Sequence, residues 1–341
     1  MPSAPVLKNA AIALTEGEPA GVGPELAIKA WVNRREHNLP YFFYMGDAKF
    51  LQTVSPNTPI KIITDPLETN DIFDVALPVL DRPYNHTVVP GQPKVETALQ
   101  LIENITEAVT LAKNGKIRAL VTNPIQKAIL YKAGFDFTGH TDFLAHLCAL
   151  KPDAAIMMLK NPQIRVVPAT HHVPLSQVPS LITTDGLVHL GKTVSEDLET
   201  YFGIKNPKLA ITGLNPHAGE HGTLGTEENT IISPAIVKLK EAGILVDGPF
   251  PADTLFTQNV RDRYDVIIAM YHDQALGPMK ALDFEHGVNI TLGLPIIRTS
   301  PDHGTALSLV GTGKASETSL VEAIKTADEM ANNHTATNHE R

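Results

Sequence analysis

Three apolar runs in this chain each deliver a histidine: VIIAMYHDQ reaches His272 and Asp273, IRVVPATHH ends on His171 and His172, and LAITGLNPH ends on His217. Neutral imidazole is a common ligand for zinc and other divalent transition metals, and three protein ligands with one open position suit metal-assisted catalysis. Among 14 histidines, any one alone reads more readily as an ordinary polar residue than as a ligand. Three together, each after a strand-like run, point to a metal site assembled by the fold rather than by a local loop. Adjacent residues on an extended segment point to opposite sides, so only one of His171 and His172 faces such a site, and spacing leaves both open.

A second group of residues could handle anions. Lys280, Asn289 and Arg298 fall within the stretch KALDFEHGVNITLGLPIIRTSPDHGTA, whose DHGTA end reads as a turn leading into a helix N-terminus able to receive phosphate. The alternative is that Lys280 and Arg298 are solvated surface charges. TEGEPAGVGPELAIKAW places a Gly-rich turn between a strand and a helix, with Pro24 near the helix start. It contains neither GxGxxG nor GxxxxGK[ST], so a tight strand-to-helix connection competes with a phosphate-binding turn.

The elements that must position these residues alternate. NAAIAL, YFFYMG, IKIIT, IRALVT, AAIMML, IRVVPA, KLAITGL, DVIIAMY and GVNITLG read as strands, with helical stretches such as KVETALQLIENITEAVTLAKNG between them. In that helix Ala98, Leu101, Ile102, Ile105, Ala108 and Val109 recur at three- and four-residue spacing and make one apolar face. Continuous apolar strands separated by helices predict an α/β/α sandwich with a mostly parallel sheet. Its ligand site belongs beyond the carboxyl ends of the strands. Punctuation near VTNPIQKAIL, KAGFDFTGHTD and GLPIIRTS suggests two lobes, 1–130 plus 296–341 and 131–295, the second carrying most of the metal and substrate ligands. The polar tail ANNHTATNHER is expected to fray.

Composition narrows the function. At 341 residues, 43% hydrophobic and 19% charged, the chain is an ordinary globular one with room for two lobes. A net charge of -9 argues against nucleic acid and anionic lipid as partners. The single cysteine, Cys148, excludes an intrachain disulfide and a cysteine-rich zinc site, and its apolar setting predicts burial. No export signal and no membrane-spanning run are evident, which makes the cytoplasm the expected location.

GEPAGVGPE, TNPIQK, FTGHTDFLA, HHVPL, GLNPHAGEHGTLGTEE, GPFPADTLF, YHDQALGPMKALDF and GVNITLGLPIIRTSPDHGTA occur in order over nearly the whole chain. Together they resemble the 4-hydroxythreonine-4-phosphate dehydrogenase family of pyridoxal 5′-phosphate biosynthesis. The resemblance implies an isocitrate/isopropylmalate dehydrogenase-like fold of two lobes with the active site in the cleft. It also implies NAD, with NADP as the alternative, and a divalent ion (zinc, magnesium or cobalt). The implied assembly is a homodimer with its active site at the subunit interface, acting on a small phosphorylated substrate.

Carried onto this sequence, the family's metal ligands fall on His172, His217 and His272, which selects His172 over His171. Its substrate contacts fall on His140, Thr141, Lys280, Asn289 and Arg298. Asp253 and Asp273 are the matching acidic positions for catalysis, and no residue is assigned to the dinucleotide. The implied reaction is oxidation at C3 of the substrate followed by decarboxylation. A paralogous dehydrogenase of a four-carbon sugar-acid phosphate (threonate or erythronate 4-phosphate), a metal-dependent hydrolase without NAD, and a non-catalytic anion-binding protein are the competing readings.

Overall fold

The computed structural model describes residues 6–7, 9–137 and 139–339. Twelve strands occur among them, in chain order: β1 (Ile12–Thr15), β2 (Phe42–Gly46), β3 (Ile60–Ile63), β4 (Leu77–Asp81), β5 (Ala119–Thr122), β6 (Ile156–Asn161), β7 (Ile164–Pro168), β8 (Lys208–Thr212), β9 (Leu245–Phe250), β10 (Val266–Ala269), β11 (Val288–Leu292) and β12 (Arg298–Pro301). The chain divides into two compact units, one running up to Ala155 and including Leu294–Asn332, the other comprising Ile156–Gly293 with the chain from Asn333.

In the first unit the strand order is β3-β4-β2-β1-β5-β12, and every pairing is parallel. Strands β1, β2, β5 and β12 are buried along their whole length, as expected where helices cover both faces of a parallel sheet. The helix Ala98–Lys113 lays its Leu101, Ile105, Ala108 and Val109 face on this sheet, in the register its periodicity predicts. In the second unit the order is β11-β6-β7-β10-β8-β9. Here β7, β10, β8 and β9 run parallel, while β6 pairs antiparallel with both β7 and β11. The fold is thus a mostly parallel, mixed α/β architecture.

The unit boundaries differ from those suggested by turn residues near position 130. Phe135, Phe143, Leu144 and Cys148 pack into the first unit's core with Leu101 and Ile105, because Phe135, Phe137 and Phe143 stack on one another at about 5 Å. Cys148 is accordingly buried, and burial raises its thiol pKa. The segment expected to fray continues the last helix, which runs Thr318–His339, with Glu340 and Arg341 outside the described residues. No described helix is long and apolar enough to cross a membrane.

The GEPAGVGPE turn uses its glycines for packing. A side chain at Gly17 would lie 2.5 Å from the Pro124 carbonyl, and one at Gly21 2.9 Å from that of Thr305. Immediately before it, Glu16 is fully buried and accepts hydrogen bonds from the Tyr84 hydroxyl and from Asn104 Nδ2 at 2.8 Å, while its other oxygen has no partner. Burial pushes its pKa from 4.5 to about 8. The folded chain therefore holds a proton that the unfolded chain releases above pH 4.5. Stability from this group is complete below pH 4.5, falls as pH rises, and is lost above about 8. That interval corresponds to roughly 4–5 kcal/mol. Urea denaturation midpoints should thus fall from pH 5 to pH 9 in the wild type and much less in Glu16→Gln; parallel profiles would show that Glu16 does not carry this proton.

Candidate active site

The three histidine-bearing runs become neighbours. Strands β7, β10 and β8 lie side by side and parallel, so Pro168, Ala269 and Thr212 end at the same edge of the second unit's sheet. The chain leaving each strand is tied to the next. Thr170 donates to the Met270 carbonyl through its backbone N–H at 3.2 Å and its hydroxyl at 2.8 Å. Gln274 accepts from Met270 N–H at 2.6 Å and the Thr212 hydroxyl at 2.8 Å, and donates to the Gly213 carbonyl at 2.9 Å. These brackets fix the spacing of the three loops that carry His172, His272 and His217.

His172 and His272 are brought together, with ring centres 5.8 Å apart. They share a cavity of about 310 Å³ with Thr170, His171, Tyr271 and Asp273. A tetrahedral ion with metal–nitrogen bonds of about 2.0–2.1 Å sets two imidazole centres roughly 5 Å apart, so this pair fits a shared divalent ion. His272 Nδ1 lies 2.7 Å from Asp273 Oδ1, a carboxylate pairing that fixes the tautomer and leaves Nε2 to coordinate. His172 takes a left-handed φ of 55°, uncommon for a residue with a side chain.

His217 lies on the adjacent loop but does not complete a trio. Among the described residues no three His, Cys, Asp or Glu side chains form a group able to hold a metal ion. Its loop is unusual in another way: His217, Ala218, Gly219, Glu220 and His221 all take left-handed φ values of 42–76°. Such a conformation costs roughly 1–2 kcal/mol per non-glycine residue, so the turn must be imposed by its surroundings.

The remaining second-unit candidates are spread over neighbouring elements. Asp273 is engaged with His272. Asp253 is exposed on the helix Ala252–Leu255, where its Oδ1 accepts from Thr254 N–H at 2.9 Å. Lys280 sits on the helix His272–Leu282, its ammonium 5.5 Å from the Phe284 ring, and Asn289 lies on β11 opposite Leu159.

His140, Thr141 and Arg298 belong to the first unit. Arg298 starts β12 and is only 3% exposed, which excludes the surface-charge reading. Its Nη2 and Nε donate to the Thr122 hydroxyl at 2.6 and 3.2 Å, and burial lowers its pKa to about 9, leaving it charged at neutral pH. His140 and Thr141 open the helix His140–Leu147. Burial, then the charges of Arg298 and Lys127, hold the His140 pKa well below its ordinary value. The ring is therefore neutral, and its buried Nε2 has no hydrogen-bond partner. Arg298 and Lys127 thus place two positive charges near this imidazole.

Lys127 was not singled out in the sequence, although TNPIQK contains it; Gln274, which ends the run VIIAMYHDQ, had no role assigned to it. The DHGTA segment does not enter a helix N-terminus, because only the short turn Leu307–Leu309 follows and the long helix starts at Thr318. A second cavity of about 450 Å³ lies beside the GEPAG turn, lined by Gly21, Pro24, Ile28, Phe50, Val310 and Gly311.

Comparison with known proteins adds to this geometry. The family model of the pyridoxal phosphate biosynthetic protein PdxA matches residues 38–327. The 4-hydroxythreonine-4-phosphate dehydrogenase of Zymomonas mobilis is 46% identical over 325 residues, spanning 95% of this chain and 97% of that protein. The enzyme of that name from Caulobacter vibrioides is 46% identical over 324 residues, spanning 94% and 97%. The crystal structure of the Klebsiella pneumoniae enzyme matches with a TM-score of 0.84 and 34% identity, over 94% of this chain and 99% of that one. A terephthalate 1,2-cis-dihydrodiol dehydrogenase from Burkholderia xenovorans shares the fold, with a TM-score of 0.65 and 24% identity over 94% and 98%.

Proposed function

This chain belongs to the pyridoxal phosphate biosynthetic protein PdxA family, and from that premise we propose that it oxidises 4-hydroxythreonine 4-phosphate at C3 with NAD and a divalent ion. The C3 hydrogen leaves as hydride to NAD, with NADP as the alternative acceptor, and the hydroxyl proton passes to a base. The resulting β-keto acid breaks its C1–C2 bond, releasing carbon dioxide; the electron pair left on C2 is held as an enolate and takes up a proton, giving 3-amino-2-oxopropyl phosphate. The observation that carries this reading is the pairing of His172 with His272, backed by Asp273, at the ends of adjacent parallel strands.

His172, His217 and His272 would hold a divalent ion (zinc, magnesium or cobalt), which would supply Lewis-acid polarisation of an alcohol oxygen and stabilisation of negative charge there. Everything else falls to the chain. Asp273 orients His272. Arg298 and Lys280 bind the anionic groups of the substrate, the first as a planar fork and the second as a movable charge. Neutral His140 presents Nε2 to the substrate, and Thr141 and Asn289 complete its orientation. Proton removal rests between Asp253 and Asp273, of which Asp253 is engaged only with its own turn among the contacts described above. The 450 Å³ cavity, apolar and glycine-lined, suits one end of the dinucleotide.

The competing substrate is a sugar-acid phosphate such as threonate 4-phosphate, which differs at the amino-bearing carbon. Metal-loaded protein given either compound and NAD should form NADH and carbon dioxide much faster from the amino acid. Preference for threonate 4-phosphate would transfer the assignment to the paralogous activity, and metal-dependent turnover without NAD would indicate a hydrolase.

We further propose that the working form, in the cytoplasm, is a homodimer whose subunits share each site. His172→Ala and His217→Ala subunits, dissociated and re-associated, should then regain activity toward half that of the wild type in mass-verified heterodimers. Inactive heterodimers would place both histidines of a site on one chain.

A further inference from the structure

The left-handed turn His217–His221 is held from beneath by one buried carboxylate. Glu228 is 3% exposed, and its Oε1 accepts the backbone N–H groups of both Leu214 and Asn215 at 2.8 Å. Its Oε2 accepts Asn215 Nδ2 at 3.0 Å, and the same Nδ2 reaches Glu227 Oε2 at 2.8 Å. The carboxylate thus grips the two residues that lead from β8 into the turn. The turn closes over it: a side chain at Gly219, whose φ is 76°, would lie 2.5 Å from Glu228 Oε2. One at Gly213 would meet Glu228 Oε1 at 3.0 Å and Ala218 Cα at 2.7 Å. Glu228 itself opens a π-helical turn, Glu228–Ile232, a local bulge of the kind found at functional sites.

We propose that Glu228 is a positioning residue for His217, imposing the left-handed turn that sets the direction of this imidazole. The inference rests on the reading of His217 as a metal ligand. An ordinary loop would relax to right-handed or extended conformations, because His217, Ala218, Glu220 and His221 each oppose the left-handed one. Two backbone N–H groups locked on a buried carboxylate, with glycines where the turn crosses it, remove that option. The contacts of Glu228 are to the backbone N–H groups of Leu214 and Asn215, so it acts through the backbone on the direction of the imidazole.

The test uses the full-length chain and cobalt alone. Dissociation constants from chelator competition are measured for the wild type, Glu228→Ala, Glu228→Gln, His217→Ala and the Glu228→Ala/His217→Ala double variant. Hydrogen exchange of the 213–225 segment is followed in the metal-free proteins. Glu228→Ala should speed exchange at Leu214 and Asn215 while leaving β7 and β10 protected, and should weaken cobalt binding about 10- to 100-fold, the range for supporting groups around metal ligands. Glu228→Gln should restore most of the affinity, because its carbonyl oxygen still accepts both N–H groups. The double variant should bind no more weakly than His217→Ala.

Unchanged exchange or unchanged cobalt affinity in Glu228→Ala, with His217→Ala impaired, overturns the positioning role. Unchanged affinity in His217→Ala instead defeats the ligand reading, and with it the inference. If Glu228→Ala does not fold, Gly219→Ala, which pushes on Glu228 Oε2 from the turn, must give the same loss of cobalt or the proposal falls.

Discussion

Replacing His272 with alanine is expected to leave a folded chain that neither retains a divalent ion nor turns over substrate above background. The fold should survive because His272 is the half-buried first residue of its helix, outside the core, and its one described side-chain hydrogen bond is to the exposed Asp273. Surface substitutions of this kind usually change stability by no more than about 0.5 kcal/mol. Function should not survive. The partner ring of His172 would face an empty position, and Asp273 would have nothing to orient. Loss of a supporting group around a metal costs about 10- to 100-fold in affinity, and loss of a ligand itself should exceed that range. Metal content after dialysis, thermal melting and NADH formation measure the three quantities separately. A variant that keeps its metal and its activity would remove His272 from the site.

Arg298→Ala should act on the substrate and spare the dinucleotide. The guanidinium is buried in the first unit beside Thr122, and after burial its charge is the next cause of the lowered His140 pKa. Removing a charged hydrogen bond costs roughly 1.5–3 kcal/mol, or about 10- to 150-fold in substrate affinity. The sign of a second effect follows from the same geometry. With the Arg298 charge gone, His140 should protonate more readily, so its pKa, followed by NMR, should rise toward the ordinary histidine value. Arg298→Lys should not restore binding, since an ammonium cannot reproduce a planar fork in a buried setting. Equal losses in substrate and NAD affinity would show a general distortion rather than a lost substrate contact.

The parts of the fold that were legible in the sequence are those in which one pattern decides the outcome. YFFYMG and DVIIAMY are continuous apolar runs, and β2 and β10 are correspondingly buried throughout. Strands β4, β9 and β12 were not legible. LPVLD contains Pro78, LVDGPF contains Gly248 and Pro249, and RTSP buries a guanidinium that no local pattern would place inside. Each depends on neighbours supplied by the rest of the sheet. The same holds for the candidate site. Strand-end histidines were visible because apolar runs lead to them, and the pairing of His172 with His272 follows from β7 and β10 being adjacent. Lys127 and Gln274 act through residues distant in sequence, and a left-handed turn at HAGEH runs against the local preference of every residue but its glycine.

The decisive measurement is X-ray absorption at the zinc edge of the stoichiometrically loaded protein, in the wild type and in His217→Ala. Three imidazole nitrogens at about 2.0–2.1 Å are expected in the wild type, with light oxygen or nitrogen scatterers filling the remaining positions. The variant should lose one imidazole. A shell of oxygen donors without imidazole scattering, or one unchanged by the substitution, would contradict a metal centre built from the histidines at the ends of β7, β8 and β10.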